Sequence, residues 1–420
     1  MFDVVQVSRH KTPWHLRVLY ISTLLLRTAF GALLLLISAF VTGDPGTRLL
    51  SVAIIAVPYP LAEMLTANYF GMVSDRVGRK RVIVLGTTLA AIMVAFYSLS
   101  NNTWYLAVLH GIHGVGAAAT VAPAIAMIAD HAHSSDRGRQ MGWFDYSTFL
   151  GYILGAVVGG FLVDLIDIRL AFLLMAGMLA ASAIMLYALV KVEPVRAKAE
   201  RYVSFAALRK VFKVREVRLM FPIWLIVATV LGLALTYLPI ILLSQNISGS
   251  SIGLMFAGGG VVLGLLQPFW GKVSDRFGRV PVMAYGVFSM LGIIVMLVFF
   301  SDFLYYQDAA GFHLKILGLI PLGILGLGSG AFVPSALALM ADASDSRSYG
   351  ATMGLYSFAL GFGAFIAESL GLVIILATGK ESAPAWILYF AAGLIGLAVI
   401  LMIAFFLRTA IAKRLRPGRT

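Results

Sequence analysis

Stretches of about 20 mostly apolar residues recur along the whole chain, each long enough to cross the hydrocarbon core of a bilayer as a helix. Lipid offers no partner to a free amide or carbonyl, so such stretches must be helices or the strands of a closed barrel. A barrel would show segments of about ten residues with alternating polarity, and none is present. Hydrophobic residues make up 60% of the chain and charged residues 12%, half the charged share of a soluble domain. The expected fold class is therefore an all-α polytopic membrane protein. Hydropathy and turn signals place twelve spans near 18–42, 48–72, 82–100, 104–130, 140–165, 168–190, 219–243, 250–272, 282–301, 315–341, 350–377 and 385–408.

The net charge of +13 is explained by where the cations fall. Lys and Arg concentrate in the N-terminal tail, in alternate loops, in the central segment 191–218 and in the tail RTAIAKRLRPGRT. The opposite loops hold only Arg48, Arg169, Lys315 and Lys380. By the positive-inside rule both termini and the central segment are expected in the cytoplasm, with the protein in the cell membrane. The basic excess then reads as topology and attraction to anionic lipid, not as a nucleic-acid surface. The opening residues MFDVVQVSRHKTPWHLR lack the features of a removable signal peptide, so the first span is expected to direct its own insertion.

One charged turn occurs twice. GMVSDRVGRKRVIVLG (71–86) aligns with GKVSDRFGRVPVMAYG (271–286), and Ala129-Asp130 with Met141-Gly142 correspond to Ala341-Asp342 with Met353-Gly354. The second pair has a slightly larger offset, as an insertion in the loop SDFLYYQDAAGFHLK would produce. The chain is thus expected to hold two six-helix bundles, 1–190 and 219–420 with the tail, joined by the basic linker 191–218. Gly71 and Gly78 suit a helix end and a tight reversal, and Asp75 can cap a neighbouring helix or pair with an Arg.

The repeated turn resembles the motif G-x-L-A-D-R-x-G-R-K of the major facilitator superfamily, through Gly71, Asp75, Arg76, Gly78, Arg79 and Lys80. Its second copy keeps Gly271, Asp275, Arg276, Gly278 and Arg279 but has Val280 in place of the lysine. The resemblance covers the full length. It implies two pseudo-symmetric bundles that rock about a central cavity, with this cluster as a gating latch; Asp130 and Asp342 are its expected partners. Span four, YLAVLHGIHGVGAAATVAPAIAMIAD, resembles the drug/proton antiporter motif L-x-x-x-R-x-x-Q-G-x-G-A-A, but His110 replaces the Arg and His113 the Gln. Span five keeps Gly151, Gly155, Gly159 and Gly160 of the antiporter glycine motif, with Ala156 where the family has proline. That pattern supports close helix packing better than it supports antiport.

Ionisable groups at bilayer depth are costly and usually functional. Arg27 and Glu63 fall near the midplane of spans one and two, where they could neutralise one another or handle substrate or protons. His110 and His113, three residues apart, share one helix face and titrate near neutrality, which suits either proton coupling or packing between helices. Asp145 near the cytoplasmic end of span five, Glu368 in span eleven, and Gln267-Pro268 as a polar group and hinge in span eight complete the candidates. Tyr237, Trp270 and Tyr356 are aromatics that could line the cavity.

There is no phosphate loop, no G-x-S-x-G or H-E-x-x-H motif, and no cysteine, so ATP hydrolysis, intramembrane enzyme chemistry and disulfides are not expected. No cofactor or metal is expected. The reading is a monomeric secondary transporter, proton-coupled and exporting drug-like compounds or metabolites. The alternatives are uptake of a small polar solute or organic anion by symport or uniport, and a non-transporting sensor on the same scaffold.

Overall fold

The computed structural model describes residues 12–131, 137–190, 214–264, 266–300, 305–308, 311–342 and 349–415. Most of the expected linker lies outside these residues. The first half contains α1 (Trp14–Phe40), α2 (Pro45–Ala56), α3 (Pro58–Val77), α4 (Arg79–Tyr97), α5 (Thr103–His131), α6 (Arg137–Leu165) and α7 (Ile168–Leu189). The second contains α8 (Arg215–Ser244), α9 (Gly249–Gly264), α10 (Gln267–Phe277), α11 (Arg279–Phe299), α12 (Ile316–Ser329), α13 (Phe332–Asp342), α14 (Tyr349–Thr378) and α15 (Ala383–Leu415). Helix α8 begins within the last residues of the expected linker.

Eleven helical stretches among the described residues are long and apolar enough to cross a membrane. The remaining expected span, 250–272, is α9 and α10, two helices interrupted ahead of Gln267-Pro268. Proline lacks the N–H that a continuous helix would use, so the break falls where the sequence placed a hinge. Span two breaks similarly at Val57, ahead of Pro58, and span ten between α12 and α13. One local feature departs from the all-helical expectation. The loop with the inserted residues forms a short antiparallel hairpin, β1 (Tyr305–Asp308) with β2 (Gly311–Leu314).

The halves repeat one packing scheme. In the first, α1 packs on α6 and α7, α4 on α5 and α7, and α3 on α5. In the second, α8 packs on α14 and α15, α11 on α15 and on α12 and α13, and α10 on α13. Small residues carry these seams, because lipid supplies no hydrophobic force between helices and attraction must come from close approach. A Cβ on Gly159 would lie 2.7 Å from Ala32 Cα, and one on Gly363 would lie 2.6 Å from Ala228 Cβ.

The buried cores are distributed unequally. We call the end carrying Gly78 and Gly278 the elbow end and the opposite one the far end. At the far end a large core joins the halves: Leu36, Phe40, Leu49, Val52 and Tyr97 belong to the same cluster as Leu233, Tyr237, Ile240, Ala367 and Ile387. At the elbow end there are two. One is built from Leu16, Leu19, Ile83, Met127, Ile128 and Phe144 of the first half. The other is built from Val217, Trp224, Met283, Phe332, Met340 and Met402 of the second.

The small-residue seam makes a direct prediction. A Cβ on Gly155 would overlap the backbone carbonyl oxygen of Thr28, whereas one on Gly142 meets nothing within 4 Å. Gly155→Ala is expected to cost about 1–3 kcal/mol, seen as a lower Tm of the purified protein in detergent, with Gly142→Ala close to wild type.

Candidate functional site

The two elbows are built alike. Each reversal is made by a glycine with positive φ, +99° at Gly78 and +94° at Gly278, a conformation that other residues adopt only with strain. The Gly78 N–H donates to Ser74 O at 3.1 Å, and the Gly278 N–H to Ser274 O at 3.0 Å. The hydroxyls of Ser74 and Ser274 donate to Gly71 O and Gly271 O at 2.7 and 2.8 Å. Arg79 pairs with Asp75, donates through Nη1 to Ser74 Oγ at 2.7 Å and to Gly71 O at 3.4 Å, and donates through Nε to Asp130 Oδ2 at 3.2 Å. Arg279 does the same with Asp275, with Ser274 Oγ at 2.9 Å and with Asp342 Oδ2 at 2.9 Å.

Asp130 and Asp342 therefore stand where the sequence placed the partners of the latch. The two serines were passed over there, although their identity in both copies was a signal. The first elbow is the more enclosed: the side chain of Asp75 is 9% exposed and that of Asp275 62%. Exposed pairs contribute little to stability, so the second elbow is the looser one. Burial holds the Asp75 carboxyl above the ordinary carboxylate range, and the neighbouring Arg79 opposes that shift. Lys80 turns away from the cluster, with Nζ 5.2 Å from the ring centroid of Tyr187. Arg276 lies over the ring of Phe277.

The intramembrane candidates of the first half are drawn together by aromatic residues. Arg27 donates through Nη1 to Tyr152 Oη at 3.1 Å and lies over the same ring. Phe30 touches Tyr152 and Tyr59, with centroids 5.8 and 5.0 Å apart, and Tyr59 packs on His110 and His113 at 4.9 and 5.2 Å. Both imidazoles are buried and meet at one hydroxyl: Tyr97 Oη is 2.8 Å from His110 Nδ1 and 3.2 Å from His113 Nδ1. A phenol has one proton to donate, so it donates to one ring and accepts from the other. One imidazole therefore carries its proton on Nδ1 and the other leaves that nitrogen bare. Neither Tyr97 nor Tyr59 was singled out from the sequence, where an aromatic in a span reads first as packing.

The ion pair conceivable between Arg27 and Glu63 is not formed. No contact within 4.0 Å joins them, although Glu63 is close enough for its charge to act on Arg27, and on Glu368 of the other half. Depth along a helix can be read from the sequence, but rotation about the helix axis cannot, and the rotation here gives Arg27 to Tyr152. Glu368 accepts from Thr236 Oγ1 at 3.4 Å, and its backbone carbonyl accepts from the Tyr237 hydroxyl at 2.7 Å. Arg27 Nε, Gln267 Nε2 and Glu368 Oε2 are among the buried polar atoms that have no hydrogen-bond partner among the described residues. Asp145 is exposed at the elbow end of α6, without an ion pair or hydrogen bond among the described residues. Trp270 Nε1 donates to Leu327 O at 3.0 Å, a packing role, and the Tyr356 side chain lies outside the described residues.

The span-five glycines serve two faces rather than one. Gly151, Gly155 and Gly159 pack on Arg27, Thr28 and Ala32 of α1, within the first half. Gly160 faces the other way, against Gly249 and Gly253 of α9 in the second half.

A family model described as Major Facilitator Superfamily matches residues 19–306 and again 225–420. The chain belongs to that superfamily. An MFS-type transporter of Methanocaldococcus jannaschii is 25% identical over 335 residues, covering 78% of this chain and 83% of its own. The class B tetracycline resistance protein of Escherichia coli is 24% identical, covering 71% and 72%. The quinolone resistance protein NorA of Staphylococcus aureus is 21% identical, covering 68% and 74%. Among solved structures, the nucleoside transporter NupG superposes with a TM-score of 0.72 at 13% identity, covering 93% of this chain and 99% of its own. A peptide transporter in complex with sulfate gives 0.70 at 15% identity, covering 97% and 96%. These structural likenesses concern the fold. Membership makes this a multi-pass membrane protein of a transporter family, with relatives named for drug resistance.

The shared hydroxyl can be tested by removing it. Tyr97→Phe leaves two buried imidazole nitrogens without a partner and is expected to cost about 1–3 kcal/mol, lowering Tm. Tyr105→Phe, which loses an exposed bond to Phe96 O, is expected to leave Tm within a degree or so of wild type.

Proposed function

We propose that this chain is a secondary transporter working by alternating access, coupling proton movement to the export of amphipathic drug-like compounds or metabolites. The observation that carries the reading is the unequal core: the halves share one at the far end and keep separate ones at the elbow end. Two bodies hinged in that way enclose a cavity open on one side, and rocking them would open the other. The titratable groups Glu63, His110, His113 and Glu368 stand in the interior where such a motion changes their access to water. The names of the tetracycline and quinolone resistance relatives favour export.

In this reading the six-helix units are 1–190 and 219–420, joined by 191–218. Both termini, the linker and the elbows are cytoplasmic, and the chain works as a monomer in the plasma membrane. It takes small-molecule substrate and protons, is no enzyme and needs no cofactor. The paired elbows Asp75–Arg79–Asp130 and Asp275–Arg279–Asp342 act as the gating latch, and Gly151, Gly155 and Gly159 hold α6 to α1. A second reading, uptake of a small polar solute or organic anion, is favoured by Arg27, whose Nε has no partner among the described residues and whose charge Glu63 does not directly neutralise.

The test is transport in proteoliposomes under an imposed pH gradient, over a panel of lipophilic cations, neutral solutes and organic anions. Gradient-driven movement of a lipophilic cation, abolished by a protonophore and with a pH profile displaced in His110→Gln, is the expected outcome. Gradient-driven movement of anions alone selects the second reading, and flux indifferent to the gradient for every compound removes proton coupling. An unchanged profile in His110→Gln returns the imidazoles to packing.

A further inference from the structure

The first amides of a helix have no partner within it and must find one elsewhere. In this chain two helices at the far end solve the problem locally. Asp44 caps α2 by accepting from Thr47 N at 3.0 Å, and Asp167 caps α7 by accepting from Arg169 N at 2.9 Å. Helix α9 does not. Its third amide, that of Ser251, donates to Ser248 Oγ at 3.3 Å, and its fourth, that of Ile252, donates to Ser248 O at 3.1 Å. The first two are met by a residue of the other half: Gly249 N donates to Asp164 Oδ1 at 2.9 Å, and Ser250 N to Asp164 Oδ2 at 2.8 Å. Both oxygens of one carboxylate, at the end of α6, are thus committed to the N-terminus of a helix across the seam.

The surroundings fit that contact. Gly160 and Gly249 let the two backbones touch; a Cβ on Gly249 would lie 2.8 Å from Gly160 O and from Val163 Cβ. Just beneath, Leu35 of α1 and Val163 of α6 form a small cluster with Ile247, Ile252 and Phe256 of the second half. A second tie at the same end has Lys380 Nζ donating to Thr47 Oγ1 at 2.9 Å, again between halves.

We propose that Asp164 is a clasp between the halves: its carboxylate caps α9 only while the far end is closed, and so sets the balance between the two states of the transport cycle. The inference rests on the alternating-access reading above. The contact suits the task because it is exposed and of modest strength. Charge at a helix N-terminus is favourable but screened, and a side-chain cap is worth a several-fold change in an equilibrium, enough to bias a cycle without arresting it. Opening the far end withdraws the carboxylate, and water then takes over the two amides. Asp164 is a positioning residue in this scheme and touches no substrate.

The test uses the absence of cysteine in the chain. Spin labels on Asn101→Cys and Glu381→Cys, exposed far-end positions in different halves, report the far-end separation by pulsed dipolar spectroscopy in lipid nanodiscs. Asp164→Asn keeps one acceptor oxygen and loses the charge, and is expected to enlarge the long-distance population roughly five-fold. Ser250→Pro, which removes one donor at a first-turn position where proline is tolerated, is expected to move the distribution the same way. Asp167→Asn is the control, since it removes the same charge from a cap within one half, and is expected to leave the distribution unchanged. A wild-type distribution in Asp164→Asn, or an equal shift in Asp167→Asn, overturns the clasp. If wild type and every variant show one fixed distance at all pH values and with every compound, the alternating-access reading fails together with it.

Discussion

Within a bilayer, burying a leucine between helices gains little, because lipid is as apolar as the leucine, while an unpaired amide is as costly as anywhere. Helices in this chain are therefore held by close backbone approach and by a few polar ties. The α1–α6 and α8–α14 seams show the first device, with glycine and alanine where larger residues would separate the helices. The elbows, the Tyr97 hydroxyl and the Asp164 carboxylate show the second. Because each tie is local and modest, a pair of six-helix units can be firm inside and still move against one another. The shared core at the far end and the divided cores at the elbow end are how that freedom is expressed in this conformation.

The interior chemistry follows from the same scarcity of partners. Arg27 leans on Tyr152, the imidazoles share one phenol, and Glu368 is tied to α8 through Thr236 and Tyr237. Each charged or titratable group has only part of its hydrogen-bonding capacity filled by protein. A site furnished in this way is sensitive to which state of the cycle exposes it, since water or substrate must complete what protein leaves incomplete.

Much of the fold was legible in the residues. The span pattern, the duplication and the twin elbows could be read because a charged, glycine-closed turn between apolar stretches is compatible with few architectures. Asp130 and Asp342 could be placed beside the arginines because they recur at matching positions in the repeat. What escaped were matters of rotation and partnership. Arg27 and Glu63 lie at like depth but do not pair directly. Gly160 faces a different helix from Gly151 and Gly155, which spacing alone does not reveal. Tyr97 and Asp164 belong to no motif, and the sequence does not show that the helix Asp164 caps belongs to the other half. The pairing of 305–308 with 311–314 was hidden for a simpler reason: strands of four residues carry too little alternation to register.

The central claim is that the two halves are closed together at the far end and apart at the elbow end. It is tested most directly by single cysteines at Val52, buried in the shared core, and at Asp145, exposed at the elbow end of α6. Labelling is done with a membrane-impermeant maleimide from each side of the membrane in turn. The account predicts that Asp145→Cys reacts rapidly from the elbow side, while Val52→Cys reacts slowly and only from the far side. Rapid labelling of Val52→Cys from the far side with Asp145→Cys protected would contradict it.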